Sequence, residues 1–204
     1  MSRRPGELMP DGWTRGQVLR IGLAGAAAAG ATALAEGHGT DASASGPSAQ
    51  MDAEILQAFL DFEYAQQRFY VAAARTGGLT GELRTLADTL AEQEAQHIAA
   101  LEQHLEGRAR RPAPPELEEA ITSPEAFRRR AIEIEEAVIA AYIGQGANLT
   151  RRSIAAITPM VSVEARQVAW LRDLAGVSPA PRAADPARSV QDVVAELRQK
   201  GVIR

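Results

Sequence analysis

Glu94 and His97 stand three residues apart in a stretch of helical periodicity. That spacing sets a carboxylate and an imidazole on one helix face about 5–6 Å apart at Cβ, so both can reach one metal ion. Three more acids occupy comparable places. Glu63 shares an apolar stripe with Leu56, Phe59 and Tyr70, and Glu135 shares one with Phe127, Ala131, Val138 and Tyr142. Glu164 and Gln167 fall among Ile157, Val161, Val168 and Leu171, while Glu94 and His97 fall among Leu83, Leu90, Ile98, Leu101 and Leu105. Every stripe follows the three-and-four spacing of a buried helix face, so these polar groups point to one interior. A buried, unpaired carboxylate is costly, and several close together are more so. Raised pKa values could neutralise part of the charge. The stripes contain no arginine, whereas two divalent cations would satisfy all four carboxylates and account for the single imidazole. The alternative is a degenerate bundle with partly solvated carboxylates.

The chain also reads as two related halves. Glu63 and Tyr70 are seven residues apart, as are Glu135 and Tyr142, and EAQHIAAL (94–101) aligns with EARQVAWL (164–171) at offsets of 72 and 70 residues. A pseudo-twofold bundle in which each half offers one Glu and then a Glu-x-x-ligand pair is the pattern of a carboxylate metal site. A lone Glu-x-x-His is weak evidence, and the combination is what carries weight. Tyr70 and Tyr142 would then hydrogen-bond ligand carboxylates; read blandly, they are core tyrosines.

Helices must position these groups. The spacing predicts one from about Asp52 to Arg75, stopped by Gly77-Gly78, and a second from Gly81 to Glu106, stopped by Gly107. Ser123-Pro124-Glu125 opens a third, which ends near Gly144 to Gly146. A fourth runs from after Asn148 to Gly176 and carries Pro159, an expected kink. Short connections make two antiparallel hairpins. The proline-bearing segment 107–122, at about 3.3 Å per residue, can run the length of helices of roughly 37 Å. The expected fold is all-α: a four-helix bundle of two antiparallel hairpins joined by a long crossover (51–176), then a tail (177–204) with a C-terminal amphipathic helix from Ser189. That last helix, with Val190, Val193, Val194 and Leu197 on one side, is expected to dock on the bundle or on a second subunit, which leaves a homodimer open.

The stretches LDFEYAQQRFY (60–70), LAEQEAQHIAAL (90–101), IEEAVIAAYIG (134–144) and VEARQVAWLR (163–172) resemble the bacterial ferritin-like domain family, often exported and sometimes grouped with desiccation-related proteins. The resemblance covers all four helices and implies a non-haem di-iron or di-manganese carboxylate centre. By position it implies Glu63, Glu94 and His97 at a first metal and Glu135 and Glu164 at a second, with Glu94 and Glu164 as bridges. The departure is Gln167, where a full second Glu-x-x-His would have histidine. An amide oxygen is a poorer transition-metal ligand than imidazole, so the second ion is expected to be held weakly. The activity implied is oxidation of Fe(II) by O2 or peroxide, or peroxide removal. The alternative is a non-catalytic binding or stress-protective bundle.

Composition narrows the rest. The 204 residues include no cysteine, which excludes disulfides, zinc ribbons and iron–sulfur centres. A net charge of −4 without a basic cluster in the folded part argues against nucleic acid as a partner. Residues 1–35 read as an export signal: Arg3, Arg4, Arg15 and Arg20, an apolar run from Ile21, and Ala33-Leu34-Ala35 as a cleavage site. TRGQVLR (14–20) resembles a twin-arginine signal with Gly16 in place of the second arginine. Location in the periplasm, cell envelope or extracellular space is expected, without stable membrane insertion once the signal is removed. Residues 36–50 read as a flexible linker. His104 is expected at the surface near a helix end, Glu92 and Glu136 off the stripes, and Arg128-Arg129-Arg130 on a solvated or ion-paired face; His38 carries no role.

Overall fold

The computed structural model describes residues 46–113 and 123–203. The expected export segment, most of the expected linker and the end of the crossover fall outside these residues. Among the described residues there are five α-helices: α1 (Ala49–Arg75), α2 (Gly81–His104), α3 (Pro124–Gln145), α4 (Arg151–Leu174) and α5 (Val190–Gln199). None of them is long and apolar enough to cross a membrane.

Local chemistry sets the ends. Helix α1 begins three residues before the expected Asp52 because the Ser48 hydroxyl accepts from the Met51 N–H at 3.2 Å. Residues at the end of the expected linker are thus part of the bundle. Ser123 caps α3 in the same way, with Pro124 at the first position, where no amide hydrogen is needed. Beyond α1 the chain turns through Gly77, whose φ of +71° suits a residue without Cβ.

Helix α1 packs on α2 and α3, and α4 packs on α3 and α2. The start of α1 meets the start of α4 through Asp52 and Thr150, and the end of α2 meets α4 through His104 and Ser153. The expected two-hairpin, long-crossover bundle is therefore the observed one. Its crossover begins along α1, where the Gln57 amide pairs with both the N–H and the C=O of Arg110 at 2.8 Å. Farther along, Arg68 donates to the Pro112 and Ala113 carbonyls. The core is aliphatic and aromatic, with Phe59, Leu60, Phe62, Leu86, Leu90 and Phe127 fully buried.

Helix α3 ends at Gln145, within the expected span of Gly144 to Gly146. A Cβ at Gly144 would lie 1.9 Å from the Arg188 carbonyl oxygen, so glycine lets the C-terminal segment approach. Arg188 donates its N–H to the Ala140 carbonyl at 2.9 Å, Val193 and Leu197 bury the amphipathic face of α5 on the chain's own bundle, and Val202 beyond the helix joins the same core. Helix α4 runs from Arg151 to Leu174 with Pro159 inside it. Pro159 and Ala155, whose carbonyl loses its donor, both face solvent, where water can serve that carbonyl.

Candidate metal centre

Each bundle helix brings one glutamate into the middle of the core. Glu63 from α1, Glu94 from α2, Glu135 from α3 and Glu164 from α4 are all 0% exposed. Burial this complete follows from the stripes, since each glutamate sits where a leucine would otherwise pack. Glu63, Glu94, His97 and Glu164 each offer a ligand atom, and these atoms lie within 4.8 Å of one another, an arrangement that could hold a metal ion. Glu135 lies against Glu164 outside that group of four and completes the cluster. All eight side chains singled out in the sequence, Gln167 and the two tyrosines included, are buried here.

His97 is the focus of the group. Its Nδ1 lies 3.2 Å from Glu63 Oε2, 3.1 Å from Glu94 Oε2 and 2.9 Å from Glu164 Oε1. One ring nitrogen carries at most one proton and cannot satisfy three carboxylates. Burial pulls the imidazolium down, but the acceptors on Glu164, Glu63 and Glu94 outweigh it and the ring is pushed up to about 12. Burial, then the charge of Glu164, pushes the Glu94 carboxyl well above the usual carboxylate range. Glu135 is raised for the same reasons, burial first and then Glu164 and Glu94. Among the described residues no lysine or arginine pairs with any of the four glutamates.

The tyrosines tie the halves together. The Tyr70 hydroxyl on α1 donates to Glu135 Oε1 on α3, and the Tyr142 hydroxyl on α3 donates to Glu63 Oε1 on α1. Because α1 and α3 are antiparallel, a tyrosine seven residues beyond its own glutamate reaches the other helix's glutamate. This exchange is the pseudo-twofold expressed in side chains. Burial, followed by the charge of Glu135 or Glu63, pushes both phenols well above their ordinary range, so they remain neutral donors.

Two amides complete the cluster. Gln167 Nε2 donates to Glu94 Oε1 and to Gln93 Oε1, both at 3.0 Å. Gln66, which the sequence reading passed over, is 0% exposed. Its Nε2 donates to Glu135 Oε2 at 2.9 Å and Glu164 Oε2 at 3.2 Å. The signal was present, since Gln66 follows Glu63 by the same three residues that separate Glu94 from His97. Among the described residues the buried side-chain atoms without an aligned hydrogen-bond partner are Gln66 Oε1, Gln167 Oε1 and Glu164 Oε1, the last close to His97 Nδ1 at 2.9 Å but not in line with its N–H. All are oxygens of this one cluster. The site therefore has a surplus of acceptors, the imbalance that a cation or added protons would correct, and the donor set of carboxylate, amide and imidazole fits a divalent metal ion.

The other expectations place as follows. Glu136 is half-buried and paired with Arg172, Arg128 pairs with Glu125 and Arg130 with Glu133, and Glu92 is exposed. His104 is the last residue of α2, as expected at a helix end, and is half-buried, its Nε2 meeting the buried Ser153 hydroxyl at 3.1 Å. Ser153 in turn donates to Asp52 Oδ2 at 2.6 Å, and Asp52 Oδ1 accepts the Thr150 N–H at 2.9 Å. Burial raises the Asp52 carboxyl, but the donors on Ser153 and Thr150 outweigh it and the net shift is downward.

Residues 51–177 match the model of the ferritin-like domain family. No curated protein matches the chain.

Proposed function

The chain belongs to the ferritin-like domain family, and from that premise we propose that it is an exported metal-binding protein with an asymmetric di-iron or di-manganese carboxylate centre that oxidises Fe(II) or removes peroxide. The observation that carries this reading is the convergence of three carboxylate oxygens on His97 Nδ1 inside a fully buried cluster. Such a pair of ions supplies reversible one-electron chemistry toward O2 or peroxide.

The chain's own residues have distinct parts. Glu63, Glu94, His97 and Glu164 would hold the first ion. Glu164 is suited to bridge, because its Oε1 faces His97 while its Oε2 faces Gln66 and Glu135. Glu94, the other bridge implied by the resemblance, has its Oε1 engaged by Gln167. Tyr70 and Tyr142 orient Glu135 and Glu63 by donating to one oxygen each, leaving the second oxygen turned inward. Phe59 lies over Tyr142 at 4.1 Å between ring centroids, and Phe127 flanks Tyr70 at 6.2 Å, so bulk water is kept from the phenols. The arginines and apolar run of residues 1–35 support export.

Elemental analysis of the purified protein beside His97→Ala tests the proposal. One to two iron or manganese ions per chain, lost in the variant, are expected. Equal, negligible metal in both proteins, with equal stability, would overturn it.

A further inference from the structure

Two nitrogen atoms sit inside the glutamate cluster, each at a point where carboxylate oxygens converge. His97 Nδ1 faces oxygens of Glu63, Glu94 and Glu164. Gln66 Nε2 faces Glu135 Oε2 and Glu164 Oε2. Two oxygens from different helices of the second half, brought to within hydrogen-bond distance of one buried donor from the first half, mark a second place for a cation beside the first. Glu164 serves both.

Gln66, like the other amide of the cluster, Gln167, can act in either sense. Its amide nitrogen donates, as it does here, and its amide oxygen is a hard ligand for divalent metals. That oxygen is buried and without a hydrogen-bond partner, while the whole side chain is 0% exposed. A half-turn of the amide exchanges the two atoms without moving the helix. The related half has no counterpart, because position 138, which stands to Glu135 as 66 stands to Glu63, is the buried Val138. Of the two amides, Gln66 is the one on the Glu135–Glu164 side, whereas Gln167 donates to Glu94.

We propose that Gln66 governs the second metal position: its amide nitrogen holds Glu135 and Glu164 together in the metal-free protein, and its amide oxygen ligates the second ion on loading. This rests on the metal-centre reading above and extends it, since nothing in that reading requires Gln66. The order of loading follows. The first ion meets three carboxylates and an imidazole. The second must displace two hydrogen bonds and accept an amide, so it binds later and more weakly.

The test is calorimetric titration of the chelator-treated, full-length protein with Mn(II), for wild type, Gln66→Leu and Gln66→Glu. Leucine keeps the bulk but neither donates nor ligates; glutamate ligates more strongly than the amide. Wild type is expected to show two binding phases. In Gln66→Leu the first should persist and the second should weaken by roughly 10- to 100-fold. In Gln66→Glu the second should be tighter than in wild type, while thermal unfolding of the metal-free variant falls below wild type because a fifth carboxylate has been buried. A merely structural glutamine would not produce that rescue. A second phase in Gln66→Leu equal to wild type, the loss of both phases together in a folded Gln66→Leu, or a wild type that takes one ion and never a second would each overturn the assignment of Gln66. Should Gln66→Leu not fold, Gln66→Glu decides alone: a second phase no tighter than wild type overturns the proposal. Wild type that binds no Mn(II) would instead contradict the metal centre itself.

Discussion

The bundle buries carboxylates in two places and treats them in opposite ways. At the end where α1 and α4 begin, Asp52 is 7% exposed yet accepts from the Thr150 N–H, the Thr150 hydroxyl and the Ser153 hydroxyl, and its carboxyl is held below the ordinary range. In the middle of the bundle, Glu94 and Glu135 are 0% exposed and pushed well above that range. Asp52 has donors on every side and caps α4 from another helix, supplying the side-chain acceptor that Thr150 does not provide for its own helix. The central glutamates face one another, crowd one imidazole among three of them, and leave Glu164 Oε1 without a hydrogen-bond partner. The carboxylate at the helix start is surrounded by hydrogen; those in the middle of the bundle are surrounded by other acceptors, as an arrangement that could hold a metal ion requires.

Removing metal should produce the largest difference between the two regions. An ion bound only by the folded chain at 100 to 1,000 times its Kd adds about 3–4 kcal/mol. For a domain of this size that is a rise in Tm on the order of 10 °C, measured by calorimetry with Mn(II) and again with excess chelator. His97→Ala should abolish this difference. Asp52→Ala should keep it and lower both melting curves alike, by about 2 kcal/mol, because the α4 cap and the Ser153 hydroxyl lose their acceptor. A change in Mn(II) affinity in Asp52→Ala would mean the two regions are coupled.

The smallest effect is in pH dependence, where the regions slope in opposite directions. Asp52, lowered from 3.8, contributes stability that is complete above that value and lost as pH falls through its folded value. Glu94 and Glu135, raised from 4.5, contribute stability that is complete below that value and lost as pH rises through their folded values. His97 adds to the same trend, complete below 6.5 and lost as pH climbs through about 12. Chelated protein should therefore lose stability from neutral to alkaline pH in urea titrations, while Mn(II) affinity rises over that range because the ligands release protons on binding. Asp52→Ala should remove the acid-side loss and leave the alkaline one.

How much of this the sequence reveals depends on whether the signal is local. The helices are legible because the stripes repeat every three or four residues and because Ser123-Pro124 and Gly77 mark boundaries within a turn of where they act. The glutamates and His97 stand out as charged groups on apolar stripes, and the structure brings them together. Gln66 is hidden beside Gln67, since two adjacent glutamines read as ordinary helix surface until the three-residue step from Glu63 is noticed. Asp52 is hidden for another reason. An acid in a first helical turn is expected on electrostatic grounds alone, and its partners are about a hundred positions away in the chain. Gly144 marks the end of α3 to within a residue, but its close approach to Arg188 is hidden because Arg188 arrives from a tail that carries no periodicity.

The most direct test of the claim that cations hold the four buried glutamates is anomalous diffraction from crystals of the full chain grown with Mn(II). The predicted result is a strong peak enclosed by Glu63, Glu94, His97 and Glu164, and a weaker one between Glu135 and Glu164 on the side of Gln66. Saturating Mn(II) with no peak inside the cluster, and with Gln66 Nε2 still bonded to Glu135 and Glu164, would contradict it and leave protons alone to neutralise the core.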